Sequence, residues 1–213
     1  KILDNWNVQI DFMDCDLEDE IERNKLIKKV NEDTLGLSIL INNAAFVGDS
    51  NLKGWVTDFE NQSIETWRRA MEVNLTSAFH LSQGCAPLLR KSKKSSIVNI
   101  ASIYAINGPD YSLYDGTDMG NPAAYAVSKG GLIQLTRWLA TTLAPDIRVN
   151  AISPGGVLRN QPKEFIQRYN ARTPLGRMAT EEDFKGVIAY LASDLSQYVT
   201  GQNLLVDGGW TIW

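Results

Sequence analysis

The chain has 213 residues, 44% of them hydrophobic, and a formal net charge of −4. That suits a sizeable globular core, and it excludes the basic clustering of a nucleic-acid binder. No apolar run reaches the roughly 18 residues of a membrane span.

One histidine, His80, nearly excludes histidine-based triads and multi-histidine metal centres, so no metal is expected, and His80 reads as structural. Two cysteines, Cys15 and Cys85, make no disulfide framework and fit reduced thiols in a cytoplasmic protein. The opening residues Lys1 to Trp6 contain no signal-peptide core.

Residues 8–14 alternate apolar and polar in part and read as a strand. Acidic residues at 16–19 suit a helix start, and residues 18–31 carry Ile21, Leu26, Ile27 and Val30 on a helical stripe. Residues 37–45 then read as a strand buried on both faces, as in a parallel sheet. It ends in Asn42, Asn43, Ala44 and Ala45. Small residues at a strand's carboxyl end admit a flat ligand to the backbone, and they serve an ordinary turn equally well. Residues 48–63, with Gly48, Asp49, Asn51 and Gly54, read as a loop.

From Ser63, the residues Ile64, Trp67, Met71, Leu75, Ala78, Phe79 and Ser82 follow helical spacing to about Leu89. Asn74 falls inside this helix. If buried, its amide needs partners and joins a polar network. Residues 97–101 are a second buried strand. Ser102 stands just past its end, where a hydroxyl faces a substrate or closes a local turn. Residues 107–121 form a long loop rich in Gly, Pro, Asp and Asn.

The next helix opens after Pro122 and runs to about Leu143, with Leu132, Leu135, Trp138, Leu139 and Leu143 on its apolar side. Tyr125 and Lys129 lie four apart on it, hence on one face. A free phenol has a pKa near ~10, and bringing it to ~7 takes about 4 kcal/mol. One cation at ~4 Å supplies about that at an effective dielectric of ~20. The pair is a plausible general acid/base, although the same spacing also arises in helices where the Tyr packs and the Lys is solvated.

A third strand at 148–153 ends in Pro154, Gly155, Gly156 and Val157. Residues 158–174, with Arg159, Lys163, Arg168 and Arg172, show little period and read as a mobile flap with a short helix near 162–169. Those cations suit an anionic substrate or, as the preferred reading, a solvated face. Thr180 opens another helix, and residues 201–209 form a last strand and turn. Strands alternate with helices without a linker. This predicts one α/β domain over residues 1–213, a doubly wound parallel sheet of Rossmann-like type.

These residues together resemble the short-chain dehydrogenase/reductase family. The resemblance covers essentially the whole chain and rests on Asn42-Asn43-Ala44-Ala45, Asn74, Ser102, Tyr125-x-x-x-Lys129, Pro154-Gly155 and Val206-Asp207-Gly208-Gly209. It implies an oxidoreductase using NAD or NADP and interconverting an alcohol and a carbonyl, with a non-catalytic dinucleotide-binding or sensor module as the alternative. Tyr125 would be the acid/base and would also contact the cofactor, and Lys129 would lower its pKa and hold the nicotinamide ribose. Ser102 would bind the substrate oxygen, and Asn74 would hold a water relaying protons to Lys129.

On the same resemblance, Asp16 and Leu17 would contact adenine, and Asn43, Ala44 and Ala45 would lie along the ribose. Pro154, Gly155 and Val157 would flank the nicotinamide. The expected partners are a small-molecule substrate and further copies of the chain, as a dimer or tetramer joined through the helices near 64–89 and 125–143. The loops at 114–122 and 155–162 look like a subgroup found with surface-sugar or flagellin-modification enzymes. Two departures stand out: Ala45 takes the place of the family's usual Gly, and no first strand and Gly-rich phosphate turn precede residue 8. Such a unit needs roughly 30 residues, so the sequence reads as N-terminally incomplete.

Overall fold

The computed structural model describes residues 8–33, 36–47 and 52–213. The predicted loop residues Gly48, Asp49 and Asn51 lie outside the described residues, as do Lys1 to Trp6.

Four apolar segments build a parallel sheet: β1 (Ile39–Asn42), β2 (Ser95–Ile100), β3 (Ile147–Pro154) and β4 (Asn203–Val206). They lie in the order β1-β2-β3-β4, with Leu40 beside Ile97, Ile97 beside Val149 and Ile152 beside Leu204. Parallel neighbours require long crossovers, which helices provide. The α-helices are α1 (Glu20–Asp33), α2 (Ile64–Met71), α3 (Ser77–Lys91), α4 (Ala123–Leu143), α5 (Lys163–Arg172) and α6 (Glu182–Ala192).

Successive strand residues point to opposite faces, and each face finds its own helices. On one face Ile97, Ile147 and Val149 pack against Cys85, Ala86 and Leu89 of α3 and Leu139, Ala140 and Leu143 of α4. On the other, Val98, Ile152 and Leu204 meet Val187, Ile188 and Leu191 of α6. This is the doubly wound, Rossmann-like arrangement that the alternation predicts.

Four local expectations are corrected. Residues 8–14 form no strand, and Val8, Ile10, Phe12 and Met13 are exposed. A strand needs a neighbour's hydrogen bonds, and among the described residues none pairs with this segment. β1 is not buried on both faces: it bonds only to β2, and Ile39 and Ile41 are 41% and 40% exposed. The helix at 64–89 is unbroken but not regular, because a π-helical turn (Glu72–Thr76) is inserted between α2 and α3. Finally, Ile21 and Trp138 leave their expected apolar stripes and are exposed, while Arg23 of α1 is 2% exposed.

The cap expected at Ser63 is present, whereas α6 starts after Glu181 with no side-chain cap and Thr180 instead donates to Asp183. Ser63 accepts a hydrogen bond from the Thr66 N–H, and Asp183 accepts from the N–H and the hydroxyl of Thr180.

Candidate active site

The strands' carboxyl ends gather the predicted site residues. Asn43, Ala44 and Ala45 follow β1, Ser102 follows β2, and Gly155 to Val157 follow β3. Asn43 and Ala44 are exposed, so the backbone there is open to a ligand.

Pro122 takes the N-cap position of α4, and one turn later Tyr125 and Lys129 share a face. Lys129 is 2% exposed, yet its ammonium makes one hydrogen bond, 2.7 Å to the Ile100 carbonyl at the end of β2. Its nitrogen lies 6.0 Å from the centre of the Tyr125 ring. Burial pushes its pKa down to about 8. An ammonium has three donors, so two N–H groups here have no acceptor among the described residues.

The Tyr125 phenol is pushed above its ordinary range by burial, and a hydrogen bond with Ser102 partly opposes the rise. The Lys129 ammonium is directed to the Ile100 carbonyl, 6.0 Å from the ring centre, and the burial of the phenol outweighs the lowering expected from it. Tyr125 is therefore a protonated phenol at neutral pH. Ser102 caps a short 3₁₀ turn (Ile103–Ala105), where its hydroxyl accepts from the Tyr104 N–H at 3.2 Å, and it is buried beside the phenol.

Asn74 lies in the π-helical turn and is buried. Its Oδ1 accepts from the Phe46 N–H at 2.6 Å, and its Nδ2 donates to the Phe46 carbonyl and, at 2.9 Å, to Ser128. Ser128 in turn donates to the Tyr125 carbonyl at 2.9 Å. The Asn74 side chain thus ties the segment after β1 to the Tyr125 helix, so it is structurally engaged on both sides.

A second polar ladder crosses the sheet below: Asn42 donates to Asn99 at 2.8 Å, and Asn99 donates to Thr136 at 2.9 Å. Sequence reasoning missed Asn99 and Thr136. An Asn in the middle of an apolar strand, opposite a helical Thr, was the available signal.

At β3's end, Pro154 and Gly155 run against the last strand, with Gly155 N–H bonded to the Val206 carbonyl at 2.9 Å. A Cβ on Gly155 would come 2.8 Å from the Asp207 Cα, so only glycine fits. Val157 pairs in an isolated parallel bridge with Ala179. Asp207 closes the final turn by accepting from the N–H groups of Gly209 and Thr211 and from the Thr211 hydroxyl.

The flap is a packed element. Phe165 and Tyr169 of α5 are buried with Tyr114, Met178 and Trp210. Its cations are largely engaged within the chain. Arg159 pairs with Glu181 at 2.6 Å, Arg168 donates to the Leu113 and Asp115 carbonyls, and Arg172 pairs with Asp110 and stacks over Trp210.

Cys15 and Cys85 are free thiols, both pushed up by burial. Among the described residues no group of His, Cys, Asp or Glu is disposed to hold a metal ion, and no helix is long and apolar enough to cross a membrane. Asp16 is exposed and Leu17 half-buried in the turn before α1.

The Lys129 shift has a stability consequence. The unfolded side chain titrates at 10.5 and the folded one at about 8, so between these values the unfolded chain binds more protons. Lys129 therefore makes stability rise with pH across that window. Urea unfolding at a pH below and a pH above about 8 is expected to show this rise in the parent and a smaller one in Lys129→Met.

The exposed backbone after β1, the flush Gly155 and the buried ammonium with spare donors fit a bound dinucleotide with ribose hydroxyls at Lys129. A family model described as "Enoyl-(Acyl carrier protein) reductase" matches residues 1–211. A tropinone reductase homologue of Arabidopsis thaliana is 35% identical over 206 residues, covering 93% of this chain and 72% of the relative. Post-translational flagellin modification protein A of Campylobacter coli is 34% identical over 149 residues, covering 70% of this chain and 58% of that protein. Among solved structures, a short chain dehydrogenase from Leptospira borgpetersenii serovar Hardjo-bovis with bound NAD+ aligns with a TM-score of 0.83 at 38% identity, over 93% of this chain and 74% of that one. The chain belongs to the short-chain dehydrogenase/reductase family of NAD(P)-dependent oxidoreductases.

Proposed function

We propose that residues 1–213 act as one Rossmann-like domain that interconverts an alcohol and a carbonyl compound with NAD or NADP. The observation that carries this reading is the buried Lys129 ammonium, with two unused donors, on the same helix face as the half-buried phenol of Tyr125 beside Ser102. When bound, the nicotinamide cofactor supplies or accepts the hydride. The chain's residues do the rest.

In carbonyl reduction, the protonated Tyr125 donates its proton to the substrate oxygen as negative charge develops there. Ser102 donates a hydrogen bond to the same oxygen and holds it near the phenol. Lys129 stabilises the phenolate left behind and holds the ribose hydroxyls. Asn74 keeps the Tyr125 helix in register with the segment after β1, and a water near Asn74 returns a proton by way of Lys129. Asp16 and Leu17 hold adenine, Asn43, Ala44 and Ala45 lie along the ribose, and Pro154, Gly155 and Val157 flank the nicotinamide.

The substrate is a small molecule, and a hydroxylated, sugar-like one fits the resemblance of the loops and the flagellin-modification relative. An anionic one finds few free cations in the flap. A cytoplasmic setting suits the two free thiols. The test is turnover of an alcohol and carbonyl panel by the full-length enzyme with each dinucleotide. Absence of hydride transfer with every pair would overturn the reading in favour of a binding or sensor module.

The same proposal includes a homo-oligomer. Leu75 and Phe79 beside Leu135 and Trp138 form an apolar groove across α3 and α4, and Trp138 is 54% exposed. A second copy offering the same helices would cover it about a two-fold axis. Trp138→Glu is expected to shift the species measured by light scattering toward the monomer. An unchanged mass would remove this face from consideration.

A further inference from the structure

Arg23 is a buried cation that the proposed chemistry does not use. It lies on α1 in line with Ile27 and Val30, at i, i+4 and i+7, on the stripe where an apolar residue is expected. Burying a guanidinium is costly unless its donors are matched. Here they are matched across three elements. One terminal nitrogen donates to the Leu17 carbonyl, the other to Glu72 at 2.5 Å in the π-helical turn, and Nε donates to His80 Nδ1 of α3 at 3.2 Å.

The turn that Arg23 grips is fixed from every other side as well. The Asp16 N–H donates to Glu22 at 2.6 Å, the Asp16 carbonyl accepts from Asp19 at 3.1 Å, and the Glu18 N–H donates to Asp16 at 2.9 Å. Glu18 also pairs with Arg69 of α2 at 2.8 Å. These bonds use the peptide groups on both sides of Leu17 and leave the Leu17 N–H without a partner among the described residues. A purine edge with one donor and one acceptor needs an acceptor and a donor held at fixed separation. The exposed Asp16 carboxylate and the Leu17 N–H are such a pair, and their separation depends on the backbone of Leu17, whose carbonyl Arg23 holds and whose next N–H, that of Glu18, bonds Asp16.

We propose that Arg23 is a positioning residue for the adenine half of the cofactor: it locks the Asp16–Leu17 turn and anchors it to Glu72, two residues from Asn74. This rests on the dinucleotide reading above. The guanidinium's planar fork is what allows three acceptors at once, and an ammonium at the same place cannot span them. His80, structural in the sequence reading, is one of the three acceptors.

The test compares a cofactor that has adenine with one that lacks it. In full-length enzyme, Arg23→Met is expected to raise KM for the preferred dinucleotide by about tenfold, the size of one charge-assisted hydrogen bond. It is expected to leave kcat within about twofold and kcat/KM with reduced nicotinamide mononucleotide unchanged. A merely structural Arg23 would lower activity with both cofactors alike, and that result, or an unchanged dinucleotide KM, would overturn the proposal.

If Arg23→Met does not fold, Arg23→Lys carries the test. It keeps the charge beside Glu72, so a raised dinucleotide KM with normal mononucleotide kinetics supports the proposal, and parental kinetics refute it. If the parent shows no hydride transfer, the oxidoreductase reading fails by itself. Calorimetric binding of ADP-ribose then decides for Arg23: weaker binding in the variant supports the role, and equal binding ends it.

Discussion

Tyr125→Phe is expected to lower kcat by roughly 10²–10⁴-fold, the range of a single positioned acid or base. The substitution removes one oxygen and leaves the ring. That ring packs against the cluster of Trp55, Ala70 and Ala124, so the fold is not expected to be disturbed. Ser102 loses a partner but stays capped on its own turn through the Tyr104 N–H. The dinucleotide dissociation constant is therefore expected to stay within about twofold, since no cofactor contact in the proposal uses the phenol's proton. Stopped-flow reduction and fluorescence titration separate the two quantities. A variant that keeps parental turnover would remove Tyr125 from the chemistry.

Lys129→Met carries the second large effect, and its signature is different. The cation lies 6.0 Å from the Tyr125 ring centre, where a charge is worth about 3 kcal/mol at an effective dielectric of ~20. Losing it costs the phenolate about a hundredfold in rate. The two spare N–H donors also go, and each hydrogen bond lost to the cofactor adds about tenfold to its KM. A combined fall of at least roughly 10³-fold in kcat/KM is expected.

The pH profile identifies the cause. The parent is expected to lose kcat/KM as pH rises through about 8, since burial lowers the ammonium's pKa to about 8. The variant is expected to lack that limb. A limb that persists in Lys129→Met would assign the titration to another group.

Much of this site was legible because its chemistry depends on local spacing. Tyr125 and Lys129 face one way on any helix, and Ser102 and Gly155 follow strands whose β-branched runs are unmistakable. The helix after Ser63 announces its cap. What the sequence concealed depends on neighbours. Residues 8–14 have a fair strand pattern, but a strand is a partnership and the pattern does not carry the partner. β1 looks doubly buried because Leu40 and Ile41 are both apolar, and only the sheet order reveals that one side faces outward. Arg23 escaped notice because a charged residue on an apolar stripe reads as a break in the period until its three acceptors are known. The phenol's pKa was misjudged because the burial that pushes it up, and outweighs the cation, cannot be inferred from a four-residue spacing.

The π-helical turn at Glu72–Thr76 has one more consequence. A residue added to a regular α-helix rotates everything beyond it by about 100°. α2 buries Thr66 and Ala70 and α3 buries Ser77, Ala78 and Ser82, and the turn between them takes up the added residue so that both stripes face inward with Asn74 between them. Removing one residue from this turn would regularise the helix and keep Ala70 and Ser82 facing inward, because the wide turn absorbs one residue without altering the phase on either side. What the extra residue provides is the seat of Asn74, whose amide bonds Phe46 and Ser128 from inside the turn. A single-codon deletion there is expected to preserve the two buried stripes and to loosen the tie between the segment after β1 and α4.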